Sequence, residues 1–144
     1  MLSRWSWFTS YDARKLEWNT SIYIAGFGLF LGLPFESMHT TPGLIRAVEI
    51  APEYAWAWAF GLVGSALIYV MHVTPQRWWA PFVRAILFCV AMGLFLAYGT
   101  PFLQTSLNSP AIYIFFASAL LFCGGCFIAA CREAGVELRR RKGG

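Results

Sequence analysis

Apolar positions along this chain gather into long runs instead of alternating with polar ones. The clearest run, residues 111–131, carries no charge before Arg132. Two others, 54–73 and 79–98, are joined by a short basic, Trp-rich corner at Arg77, Trp78 and Trp79. Each is about 20 residues, the length a helix needs to cross the hydrocarbon of a bilayer. A fourth run, 16–33, starts polar at Asn19, Thr20 and Ser21 and turns strongly apolar only from Ile22. Pro52 and Glu53 suit the first turn of a helix, by ring geometry and by charge against the helix dipole. Pro34 is expected to end run 16–33, Gly99–Thr100–Pro101 to end run 79–98, and Pro110 to open run 111–131. The pattern predicts an all-α fold: an integral membrane bundle of four transmembrane helices in a single domain, residues 1–144.

The segments between the runs have their own patterns. Residues 1–15 mix polar groups with Trp5, Trp7, Phe8 and Tyr11. They read either as an interfacial segment lying on the membrane or as a frayed tail with an aromatic anchor. Within 35–52, Thr41-Pro42 is placed to start a short helix with Leu44, Ile45, Val48 and Ile50 on one side and Arg46 and Glu49 on the other. Trp56 and Trp58 are expected at one interface of the second span, Tyr69 and His72 at the other. Residues 132–144 form a basic tail.

Small residues recur at helical spacing inside the runs. Gly28 and Gly32 form G-x-x-x-G; Ala57, Gly61 and Ser65 are spaced by four; Gly124 and Gly125 are adjacent. Removing side chains from one flank lets a neighbouring helix backbone approach, so these seven are the candidate helix-packing residues.

Composition agrees with a lipid-embedded chain. It is 58% hydrophobic, 18% aromatic and only 12% charged, whereas a soluble domain carries about 25% charge. A net charge of +4 could point to nucleic acid, but the cations sit at the ends of apolar runs, where they set topology. With four spans, Arg4, Arg14, Lys15, Arg77, Arg84, Arg132, Arg139, Arg140, Arg141 and Lys142 share one side. Of the basic residues only Arg46 stands opposite. Both termini are therefore expected on the cytoplasmic side, with the chain multi-pass in the membrane. Arg84 lies just inside the third run and is expected to snorkel to the surface. No compact signal h-region or cleavage site is evident, so the first span is expected to be retained.

Candidate chemistry is sparse. Met38-His39-Thr40-Thr41-Pro42 and Met71-His72-Val73-Thr74-Pro75 share M-H-x-T-P, but four spans would put His39 and His72 at opposite faces, unable to share a metal or haem. Cys123 and Cys126 form C-x-x-C, with Cys89 and Cys131 elsewhere in apolar runs. No helix N-terminus lies near the pair to activate a thiol, and the four cysteines lack zinc spacing. Small packing residues are the plainer reading. Glu53 and Arg84 are the ionisable groups nearest the apolar core, on opposite sides, and are not expected to meet. No nucleotide, hydrolase or zinc-protease motif is present. No catalytic, cofactor-binding or metal residue is assigned, and no enzyme activity is expected.

Ile50, Ala51, Pro52 and Glu53, followed by Trp56 and Gly61, then Thr74-Pro75 and Phe82-Val83-Arg84-Ala85, resemble small polytopic inner-membrane proteins encoded by tailed phages and prophages of Proteobacteria. The resemblance covers residues 50–85. It implies a phage setting and transfers no functional residue. From it, the size and the small-residue faces comes the leading expectation: a holin-like, membrane-permeabilising homo-oligomer. The alternatives are a non-catalytic interaction protein, such as an exclusion factor or a subunit of a membrane or virion complex, and a thiol redox protein using Cys123 and Cys126. The lipid bilayer is the expected partner throughout, with Arg14, Lys15, Arg77, Arg84, Arg139, Arg140, Arg141 and Lys142 at its surface.

Overall fold

The computed structural model describes residues 3–33, 42–73, 77–103 and 110–142. All its regular structure is helical: α1 (Ser3–Leu31), α2 (Pro42–Ile50), α3 (Glu53–Val73), α4 (Ala80–Leu103) and α5 (Pro110–Lys142). Three of these, α3, α4 and α5, are long and apolar enough to cross a membrane. At 21 and 24 residues, α3 and α4 measure about 32 and 36 Å at the helical rise of 1.5 Å per residue. The first helix is not among the three, because its N-terminal half carries Arg14, Lys15 and Glu17 among polar neighbours.

Helix ends differ from the sequence expectation in three places. Residues 3–15 are the opening turns of α1, continuous with 16–31. Gly99, Thr100 and Pro101 do not end α4, which continues to Leu103 with Pro101 inside it. There the Thr100 hydroxyl donates to the Leu96 carbonyl at 2.6 Å, and a proline this near the C-terminus removes little from the ladder. The basic tail is helical too. Apolar character stops at Cys131, but α5 runs on to Lys142, with cations in its last turn facing the negative end of the dipole.

Direction alternates along the long helices. Gly28 of α1 lies on Gly61 of α3 and Ala25 on Gly64, so the two are antiparallel. Gly99 of α4 faces Phe116 of α5 while Met92 faces Gly124, again antiparallel. Phe60 and Trp56 of α3 meet Phe95 and Tyr98 of α4 in reverse order. The start of α1 and the end of α5 therefore share one end of the bundle.

The core is aromatic. Phe27 packs on Phe60, Phe95, Tyr98 and Phe115 with ring centroids 5.0–5.7 Å apart. Phe60, Phe88 and Phe95 have no exposed surface. Such pairs add about 0.5–1.5 kcal/mol each beyond the area they bury. Trp56, expected at an interface, is instead buried; its indole N–H donates to the Ala47 carbonyl at 3.1 Å and docks α2 against the bundle. Among the described side chains of α2, Ala47 is buried, while Ile45 and Ile50 are exposed.

Candidate functional site

Two features stand out against this apolar background, a polar cluster at the end of the bundle shared by the termini and a groove along α1 and α3.

The polar cluster centres on Arg84. One turn inside α4, it follows the helical stripe that continues through Phe88, Ala91, Phe95, Tyr98 and Phe102, and that stripe is buried. Its side chain points inward and is only 7% exposed. The expectation that Arg84 snorkels is therefore corrected: inward-facing carboxylates satisfy it where it stands. Nη1 donates to Glu17 Oε2 of α1 at 2.5 Å, and Nη2 donates to Glu133 Oε2 of α5. Glu17 is 1% exposed, and its Oε1 has no hydrogen-bond partner among the described residues. Around it the Ser21 hydroxyl donates to the Glu17 carbonyl, and the Cys126 thiol lies 3.5 Å from the Thr20 hydroxyl. Beside Glu17 and Arg84 is a void of about 40 Å³, also lined by Arg14, Trp18, Met71 and Ala80.

Neither Glu17 nor Glu133 stood out in the sequence. Glu17 sits between Lys15 and Trp18, and Glu133 follows Arg132, so both read as surface charge. A helical-period signal was available: Glu17, Thr20, Ser21, Ile24, Gly28 and Leu31 all fall on the buried face of α1.

The groove is the second feature. It encloses about 750 Å³ and runs between residues 25–33, the end of α1 and the turn after it, and residues 53–65 of α3. Its floor exists because the two backbones touch. A Cβ added to Gly28 would lie 2.3 Å from Gly61 N, and one added to Gly64 would lie 2.3 Å from Ala25 N. Leu29 and Leu33 form one wall; Tyr54, Trp58 and Leu62 form the other. Both walls repeat every four residues, the spacing of ridges into which a further helix can pack. Trp58 and Leu62 are 67% and 62% exposed, so none of the described residues covers them.

The remaining candidate residues fall as follows. Gly32 lies 3.7 Å from the Ala57 Cβ, Gly61 has open space beside it, and Ser65 is exposed at the groove. Gly64, the tightest contact on α3, was not singled out by sequence. Gly124 sits 3.8 Å from Met92 Sδ and Gly125 3.8 Å from Leu16 Cδ2, ordinary contacts with α4 and α1. Arg14, Lys15, Arg77, Arg139, Arg140, Arg141 and Lys142 are exposed at the end shared by the termini. Arg141 stacks over the Trp78 ring at 4.2 Å. Cys123 and Cys126 are buried free thiols, whereas Cys89 and Cys131 are exposed. His72 is exposed, and His39 lies outside the described residues. No group of three or more His, Cys, Asp or Glu suited to a metal occurs among the described residues. Arg84 is paired with Glu17 and Glu133, not with Glu53.

No protein-family model, curated protein or solved structure matches this chain.

Proposed function

We propose that this chain is a non-catalytic membrane protein that acts by lateral association, receiving another transmembrane helix in the groove between α1 and α3. The observation that carries the reading is the groove itself, about 750 Å³ of apolar trough with a small-residue floor and walls on a four-residue repeat. Small residues at such a seam let helices pack closely in lipid, where the hydrophobic effect supplies no drive. In this reading α1, which lies antiparallel along α3, crosses the bilayer as the fourth span. Both termini then lie on the cytoplasmic side of a bacterial inner membrane. In this reading, following the resemblance to phage-encoded membrane proteins, the partner is a phage or host membrane protein.

The holin-like alternative needs copies arranged around water. Outer faces of α3–α5 present Tyr69, Ile86, Val90, Leu96, Ile114 and Leu121, a greasy wall for a pore, and aromatic rings fill the interior. Docking is thus favoured over permeabilisation. A thiol redox role is disfavoured by the burial of Cys123 and Cys126, since exchange needs an accessible thiolate.

The test is photo-crosslinking in cells from Trp58 and Leu62, with Ile86 on the outer face of α4 as control. Discrete adducts are expected from the two groove positions and not from Ile86. Replacing Gly61→Leu plugs the groove without meeting anything within 4 Å at its Cβ, so those adducts should vanish while the helical content stays. Equal labelling at all three positions would remove the docking reading. Dye leakage on expression, with adducts between copies only, would restore the pore.

A further inference from the structure

The groove between α1 and α3 is apolar except at one end. Glu53, in the first turn of α3, carries the only charge among the described residues that line it. Its Oε1 is buried and has no hydrogen-bond partner among the described residues. A carboxylate oxygen taken from water without a donor is costly, and a donor arriving from outside removes that cost. Tyr54 and Trp58 stand on the same wall of the groove, and both are exposed. An aromatic face beside a carboxylate suits an ammonium or guanidinium group, which the ring attracts through its quadrupole.

Height along the bundle narrows the occupant further. Antiparallel packing puts Glu53 level with the C-terminal end of α1, at the end of the bundle away from the termini. Resting on the docking reading, we infer that the helix received by the groove carries a lysine or arginine at the level of Glu53. That cation donates to Glu53 Oε1 and lies against the Tyr54 and Trp58 rings, while small and apolar residues fill the rest of the trough. A second copy of this chain fits poorly. Copies insert in the same direction, so an isologous pairing through the groove brings each Glu53 toward its counterpart, like charge to like. Arg46 is the described cation at that end, but it sits on α2, which packs against α4 and lines no part of the groove. The other described lysines and arginines belong to the end shared by the termini. The partner is therefore a different membrane protein, its cation near the end of its span on the side away from this chain's termini.

Photo-crosslinking in cells from Leu62 of the full chain tests this in three backgrounds: Glu53 unchanged, Glu53→Gln and Glu53→Lys. Leu62 carries the probe because replacing Trp58 would remove part of the cation's seat. Adduct yield should fall about tenfold in Glu53→Gln, the cost of losing a charge-assisted hydrogen bond, and vanish in Glu53→Lys. The crosslinked partner should hold a lysine or arginine at the level of Glu53. Changing that residue to glutamate should restore the adducts to Glu53→Lys, which a merely structural role for Glu53 would not allow. Circular dichroism checks that each variant is helical, and the nearly isosteric Glu53→Gln reads the charge if Glu53→Lys fails to fold. Undiminished adducts in folded variants, a partner without the cation, or adducts only between copies would overturn the inference and leave docking standing. No adducts from the unchanged chain would remove the docking reading and this inference with it.

Discussion

Helix α1 is held in two ways along its length. Toward its C-terminal half, Gly28 and Ala25 rest directly on the backbone of α3, with no side chain between. At Glu17 the contact is ionic and reaches across the bundle to α4 and α5. The first attachment is shape alone, tolerant of lipid and intolerant of a methyl group. The second tolerates changes of shape but depends on every charge being answered. What differs is where each leaves the molecule open: the glycine seam leaves a trough beside it, and the charge cluster leaves an unsatisfied oxygen inside.

Breaking the ionic attachment should have the largest effect. Arg84→Met strands two carboxylates, and removing one partner of a buried ion pair costs about 3–5 kcal/mol. Thermal unfolding in detergent should show the loss, and an unchanged midpoint would mean the charges are solvated. The seam comes next. Gly28→Ala and Gly64→Ala each place a Cβ within 2.3 Å of a backbone nitrogen, so the helices must separate, at about 1–3 kcal/mol for overpacking. Gly93→Ala sharpens this result. Its Cβ would meet nothing within 4 Å, so it should be neutral or gain up to about 1 kcal/mol from helix propensity. A loss at Gly93 equal to that at Gly28 would show that the cost at Gly28 does not come from its close approach to α3. Smallest is Arg141→Gln, which removes an exposed cation over Trp78, worth about 0.5–1 kcal/mol. Its effect should appear as a small change in Trp emission with the midpoint nearly fixed.

How much of this was legible in the sequence follows from the same contrast. Long apolar runs announce α3, α4 and α5, because hydrophobicity over about 20 residues needs no knowledge of neighbours. Gly28 and Gly61 were visible as spaced small residues, although Gly64, three residues further on, makes as tight a contact as Gly28. The ionic cluster was hidden for a physical reason. Position near the end of an apolar run is shared by a snorkelling arginine and a buried one, and only the helical phase separates them. Arg84 shares its phase with Phe88 and Phe95, but its partners lie 67 and 49 residues away. Pro101 misled for a simpler reason: near a helix C-terminus it can be accommodated, so it is a weak stop signal. Ala47 escaped notice because a helix as short as α2 is oriented by what docks on it, here the Trp56 indole.

The central claim is that Glu17 and Arg84 act on one another across the bundle. A double-mutant cycle on Glu17→Gln and Arg84→Gln, read by unfolding in detergent, measures that directly. A coupling energy between about 0.5 and 3 kcal/mol is predicted for groups in contact. Losses that simply add, within about 0.3–0.5 kcal/mol, would place the two side chains apart and contradict the account.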